Sequence, residues 1–226
     1  TKSKGLDGIS TEFIKKGSDV LIIPLTHIIN LSFSTGIFPT ALKTAIITPI
    51  YKGKGKLNDP ANYRPISVLS NISKIIERAI KSRLVEFINK YKLLPENQFG
   101  FTKGRNTTQA VALLIDKVMQ GLEDRKKCVA IFLDLSKAFD SASHKILVQK
   151  LERLGICDTA LKLLSNYLQG RTQRVKFAEI GRELIITWGV PQGSVLGPIL
   201  FLLYTKDLCE VKHLNLDIIA FADDTV

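Results

Sequence analysis

Cysteine is scarce in this chain, and what there is carries no pattern. Cys128, Cys157 and Cys209 are an odd number with no C-x-x-C spacing, which excludes a disulfide framework and a cysteine-built zinc site and fits a reducing compartment. Long apolar runs are missing as well. None approaches the roughly 18 residues that a membrane-spanning helix needs, and no charged-apolar-small signal opens the chain, so neither secretion nor membrane insertion is expected. No internal repeat or low-complexity tract is evident. Charge excess is lacking in one half only. Residues 1–127 hold 21 Lys and Arg against 10 Asp and Glu, whereas residues 128–226 hold 11 of each, so the whole net charge of +11 lies in the first half. This asymmetry suggests a polyanion guided toward an acidic centre; the plainer alternative is a basic solvated surface.

A hydrophobic content of 45% beside 23% charged residues suits a globular protein with a real core. The chain starts at Thr1 and stops two residues after an Asp pair, and is expected to be part of a longer protein. Residues 9–35 read as helical, with Pro24 interrupting the apolar spacing, and 36–39 as a turn. Residues 45–51 and 64–69 read as two partnered strands. Between them, Lys52-Gly53-Lys54-Gly55-Lys56 is a cationic loop that can approach phosphate closely, or is simply a solvated turn. An amphipathic helix over 71–90 shows Ile72, Ile76, Ala79, Ile80, Leu84, Phe87 and Ile88 on one face, capped by Ser70 or Asn71. Gln98-Phe99-Gly100-Phe101-Thr102-Lys103-Gly104-Arg105 mixes rings, glycines and cations as a nucleic-acid loop does, although both rings serve equally as core. Asn106 or Thr107 then caps a helix through Leu122, with Val111, Leu114, Ile115 and Val118 as its core side.

From Cys128 strands and helices alternate. Strands are expected over 128–134, 171–177, 183–190 and 216–222, and helices over 143–154, 159–168 and 198–208, the last with Pro198 in its first turn. Two of these strands end on carboxylates, Asp134 and the pair Asp223-Asp224. Set side by side they form a dense negative site that needs cations. Hard oxygen donors favour Mg²⁺, and two such ions about 3.5 to 4 Å apart clamp the oxygens of an in-line phosphoryl displacement. Asp134 and Asp223 are the expected metal ligands. Asp224 faces the other way in a strand and is expected to be auxiliary. Taken alone, an Asp-Asp pair is more often a hairpin turn.

Five motifs in order give the chain a recognisable likeness. Phe221-Ala222-Asp223-Asp224 resembles the F/Y-x-D-D box of reverse transcriptases, and Leu133-Asp134-Leu135-Ser136-Lys137-Ala138-Phe139-Asp140 resembles their first aspartate motif. Gly189-Val190-Pro191-Gln192-Gly193-Ser194-Val195-Leu196-Gly197-Pro198 matches the PQG motif, while Asn62-Tyr63-Arg64-Pro65-Ile66-Ser67 and Asn97-Gln98-Phe99-Gly100-Phe101 are similar to fingers motifs of non-LTR (LINE-type) enzymes. The resemblance covers nearly the whole chain. It implies an α+β fold: right-hand polymerase fingers (1–127) and a palm (128–226) cut at the catalytic hairpin, with an antiparallel palm sheet packed on helices and the thumb absent.

The resemblance further implies an RNA-directed DNA polymerase that extends a primer 3′-OH on an RNA template with dNTPs and two Mg²⁺, Mn²⁺ substituting. Asp134, Asp223 and Asp224 would be catalytic. Phe139 would lie beneath the sugar and exclude a 2′-OH, and Gln192 and Gly193 would line the nucleotide. Arg64 with Lys52 or another loop lysine would hold the triphosphate, and Gln98, Lys103 and Arg105 would meet nucleic acid. An intracellular location follows, as a nuclear or cytoplasmic ribonucleoprotein if the host is eukaryotic. Thr102 departs from the arginine usual at its position. The alternatives are a group II intron-type reverse transcriptase and a catalytically dead remnant that binds RNA; an isolated fragment is expected to be inactive.

Overall fold

The computed structural model describes residues 4–211 and 216–226. Two helices come first, α1 (Thr11–Lys16) and α2 (Ser18–Thr35), parted at Gly17. Pro24 does not interrupt α2, which continues through it although the ring removes one N–H from the ladder. The helix stops at Gly36, whose φ of +69° and N–H bond to the Ser32 carbonyl form a left-handed C-terminal cap. Among the described residues no helix is long and apolar enough to cross a membrane.

The main sheet joins distant parts of the chain. Strands β1 (Thr44–Tyr51) and β2 (Tyr63–Val68) pair antiparallel, as do β3 (Arg171–Lys176) and β4 (Ile180–Ile186). Their order is β2-β1-β3-β4, with β1 and β3 parallel, so the sheet is mixed rather than antiparallel. The parallel ladder covers only Thr44 to Ile47 of β1. Pro49 therefore lies past the stretch that needs an N–H toward β3.

Helix α3 (Asn71–Lys90) buries Ile76, Ile80, Leu84 and Ile88 on one stripe. That stripe forms one core with α5 (His144–Arg153), α6 (Asp158–Leu168) and α7 (Gly197–Thr205) through Leu147, Leu151, Tyr167, Leu200 and Phe201. Nearly every residue of α7 is apolar and six are buried, as expected of a helix enclosed on all sides. Ser70, Asn106 and Ser143 cap α3, α4 (Thr107–Glu123) and α5 with side-chain oxygens, Asn106 forming a reciprocal box with Gln109.

Two further expectations change. The run 128–134 is not a buried strand: it is irregular, Val129 and Phe132 are 85% and 72% exposed, and among the described residues only Leu133 makes a strand-like bridge. Its apolar composition asks for burial, but the hairpin beside it, β5 (Ala220–Phe221) with β6 (Asp224–Thr225), offers it a single partner, Thr225. For the same reason α4 buries Ala110 and packs Leu113 and Leu114, while Val111 and Ile115 are each 54% exposed.

Candidate active site

The β5–β6 hairpin turns on Ala222 and Asp223, with Phe221 opposite Asp224 and Ala220 opposite Thr225. Backbone bonds from Ile219 to Val226 in both directions extend the pair. Ala222 carries a φ of +60°, a left-handed conformation that costs a residue with a Cβ on the order of 1–2 kcal/mol. The hairpin reading of Asp223-Asp224 thus holds, and the turn itself presents Asp223.

Leu133 and Thr225 exchange both backbone bonds, at 2.8 and 3.1 Å. The next positions, Asp134 and Asp224, then stand opposite each other and share a face. Both line one cavity of about 370 Å³, together with Leu114, Phe132, Ile219 and Phe221. It is therefore Asp224, expected to face away, that shares this cavity with Asp134, while Asp223 sits half-buried in the turn. Among the described residues no three of His, Cys, Asp and Glu converge as a ready-made metal cage.

Phe139 lies in a 3₁₀ turn (Ala138–Asp140). Its ring stacks on Phe201 of α7 with centroids 4.5 Å apart, and the Phe101 ring meets it edge-on at 5.9 Å. The Val190 N–H donates to the Phe139 carbonyl at 2.8 Å and the Gly189 N–H to the Ala142 carbonyl at 2.7 Å, which ties this turn to the start of the PQG segment. His144 Nε2 meets the Gly189 carbonyl at 2.6 Å. Burial holds the His144 imidazole below its usual range, the Gly189 carbonyl opposing and the Arg171 guanidinium reinforcing that shift.

The PQG loop is fixed from two sides. The Ser67 N–H of β2 donates to the Gln192 carbonyl at 2.8 Å. Gly193 adopts a φ of +122°, and a Cβ there would lie 2.5 Å from the Ser67 carbonyl oxygen, so only glycine fits this contact. From the other side the fully buried Glu77 of α3 accepts the Val195 and Leu196 N–H groups at 2.7 and 3.2 Å and the Ser73 hydroxyl at 2.9 Å. Sequence reasoning missed Glu77. The signal was its place on the apolar stripe of α3, three, seven and eleven residues before Ile80, Leu84 and Ile88. Burial also pushes the Tyr167 hydroxyl above its usual range, the Glu77 carboxylate adding to it.

The cationic residues divide into free and committed. Arg64, Lys54, Lys56 and Lys103 are exposed. Lys52 donates to the Ala61 carbonyl at 2.7 Å, holding the base of its loop. Arg105 donates to the Glu96 and Gln98 carbonyls and covers the Phe99 ring at 5.2 Å. Gln98, expected on nucleic acid, is 3% exposed and turns its carboxamide toward the hairpin. Of the two uncertain rings, Phe99 is buried and Phe101 is exposed.

Comparison with known proteins places the whole chain rather than the site. A family profile described as "Reverse transcriptase (RNA-dependent DNA polymerase)" matches residues 51–226. The chain is 35% identical to the "Probable RNA-directed DNA polymerase from transposon BS" of Drosophila melanogaster, over 92% of this chain and 23% of that protein. To the "RNA-directed DNA polymerase from mobile element jockey" of the same fly it is 32% identical, over 99% of this chain and 25% of the other. It is 29% identical to the "Retrovirus-related Pol polyprotein from type-1 retrotransposable element R2" of Popillia japonica, over 97% and 31%. The chain thus spans about a quarter to a third of the length of these curated relatives. A telomerase structure from Candida tropicalis shares the fold, with a TM-score of 0.54 at 15% identity over 84% of this chain and 44% of that one.

Proposed function

This chain belongs to the reverse transcriptase (RNA-dependent DNA polymerase) family, and from that premise we propose that it forms the fingers and palm of a non-LTR retrotransposon enzyme that extends a primer 3′-OH on an RNA template with dNTPs. The observation that carries the reading is the Leu133–Thr225 pairing, which sets Asp134 and Asp224 on one cavity beside the Asp223 turn.

The donor set suits a divalent ion of the Mg²⁺ or Mn²⁺ kind. Carboxylate oxygens are hard donors, and Mg²⁺ characteristically takes only one or two of them and completes its shell with water and substrate phosphates. Asp134, with Asp224 on the same cavity and Asp223 at the adjoining turn, would hold two such ions, which when bound would neutralise charge on the triphosphate and favour an ionised 3′-hydroxyl. The remaining chemistry is positioning. Arg64 and the loop lysines, Lys54 and Lys56 as well as Lys52, offer charge-assisted bonds to phosphate. Gln192 and Gly193 line the base and sugar of the incoming nucleotide, glycine allowing close approach. Phe139, wedged between Phe101 and Phe201, blocks the position of a 2′-OH. Lys103 and the basic first half run along the template strand, with Arg105 bracing the loop beneath them through its bonds to the Glu96 and Gln98 carbonyls.

The test is dNTP incorporation on poly(rA)/oligo(dT) by the full-length protein and its Asp134→Asn and Asp223→Asn variants. Each substitution is expected to lower kcat by at least about 100-fold, the scale for removing one preorganised electrostatic group. Undiminished incorporation by either variant refutes the assignment. Retained, salt-dependent RNA binding with no incorporation by the wild type supports the reading of an RNA-binding remnant instead.

A further inference from the structure

The catalytic turn is too small to hold itself. Each strand of its hairpin is two residues long, far below what an independent hairpin requires, and Ala222 is held in a left-handed conformation. Such a conformation persists only where the surroundings over-determine it. The surroundings here are residues 97–100. The Phe99 N–H donates to the Ala220 carbonyl at 2.8 Å and the Ala220 N–H to the Asn97 carbonyl at 2.9 Å. Asn97 Nδ2 donates to the Ile218 carbonyl at 2.7 Å. A Cβ on Gly100 would collide with the Ala222 amide nitrogen, so the two backbones touch.

At the centre of this contact lies Gln98. Its Oε1 accepts the Ala222 N–H at 2.9 Å and the Gly100 N–H at 2.8 Å, and its Nε2 reaches the Ala222 carbonyl at 3.5 Å. Two N–H donors on one side-chain oxygen fix which end of the amide is which. Both polar groups of Ala222, the residue before Asp223, are thus engaged by one buried side chain. Resting on the reverse transcriptase reading above, we propose that Gln98 is a positioning residue: its carboxamide sets the Ala222 peptide and thereby aims the Asp223 carboxylate.

The test compares Gln98→Met, which keeps the length and volume without an acceptor, with Gln98→Glu, which keeps oxygen acceptors for both N–H groups. Steady-state kinetics of the full-length protein is measured beside amide hydrogen exchange. Gln98→Met is expected to lower kcat about 10- to 100-fold, the scale of a displacement near 1 Å at a reacting centre, with the dNTP KM within about twofold of wild type. Exchange should rise in residues 219–226 while α3 and α6 keep wild-type protection, and Gln98→Glu should recover most of kcat. Wild-type kcat with wild-type exchange in Gln98→Met overturns the proposal. So does a Glu variant as impaired as Met, or a uniform rise in exchange over α3 and α6, the sign of plain instability. If the wild type incorporates no dNTP, the polymerase reading fails, while the exchange arm still decides whether Gln98 holds the turn.

Discussion

Glu77→Ala is the substitution whose cost can be worked out most directly. The Glu77 side chain is fully buried and accepts three bonds, from the Val195 and Leu196 N–H groups and the Ser73 hydroxyl. Truncation leaves those three donors, two buried and the Val195 N–H half-buried, without an acceptor, and each orphaned group costs about 1–3 kcal/mol. The loss of a negative charge at the start of α7, where the helix dipole favours one, adds a few tenths of a kcal/mol or more. Against this, the carboxylate no longer has to be desolvated, which returns part of the loss. The net expectation is destabilisation of about 3 kcal/mol, the lower end of the hydrogen-bond sum. With a urea slope of about 3 kcal/mol/M for a chain of this size, the denaturation midpoint should fall by about 1 M. Glu77→Gln retains one oxygen for both N–H groups and should lose less than about half as much. The assay is urea unfolding followed by far-UV circular dichroism. A Glu77→Ala midpoint within about 0.2 M of wild type, or a Gln variant as unstable as Ala, refutes the account of Glu77 as the anchor of the PQG loop.

Phe139→Ala removes the ring between Phe101 and Phe201; the full-length enzyme should then accept rNTPs relative to dNTPs about 10-fold or more better, and an unchanged ratio counts against Phe139 as the sugar gate. The His144 imidazole is held below its usual pKa of 6.5 by burial. The unfolded chain therefore takes up a proton that the folded chain keeps off, so stability is full above pH 6.5 and is lost as pH falls through the lowered folded value. Urea midpoints compared at pH 7.5 and 5.5 should show that decline, and His144→Gln, which keeps a donor for the Gly189 carbonyl, should reduce it; an undiminished decline in the variant excludes His144 as its source.

Local signals carried the sequence reading where cause and effect lie within a few residues. Ser70 and Asn106 cap the helices they precede, and the β-branched runs at 45–51 and 64–69 are strands in antiparallel register. Periodicity was less informative about cover than about face. It drew the apolar side of α4 through Val111 and Ile115 and made a strand of 128–134, yet among the described residues neither set finds a neighbour that covers it. Positions fixed by distant partners were harder still. Glu77 looks like one more charge on a basic helix until Val195 and Leu196, 118 and 119 residues on, supply its donors. Gln98 reads as a polar loop residue because Ala222, its partner, lies 124 residues away. The carboxylate-bearing motifs stand out locally in the sequence; the parts that hold them still are written in long-range contacts.

The parallel seam between β1 and β3 sets a schedule for synthesis. Thr44 and Thr172, 128 positions apart in the chain, meet across it with hydroxyl oxygens 2.9 Å apart. At about 5–20 residues per second a ribosome needs roughly 6 to 26 seconds to deliver the second after the first. Throughout that interval the inner edge of β1 waits without a partner, next to a hairpin that is marginal alone. Pro49 within the strand and the lysines of 52–56 beyond it are features that discourage foreign pairing at such an edge. A translation pause between the two strands would prolong this vulnerable state, so the spacing of the seam makes the nascent chain, as much as the finished one, sensitive to how evenly its message is read.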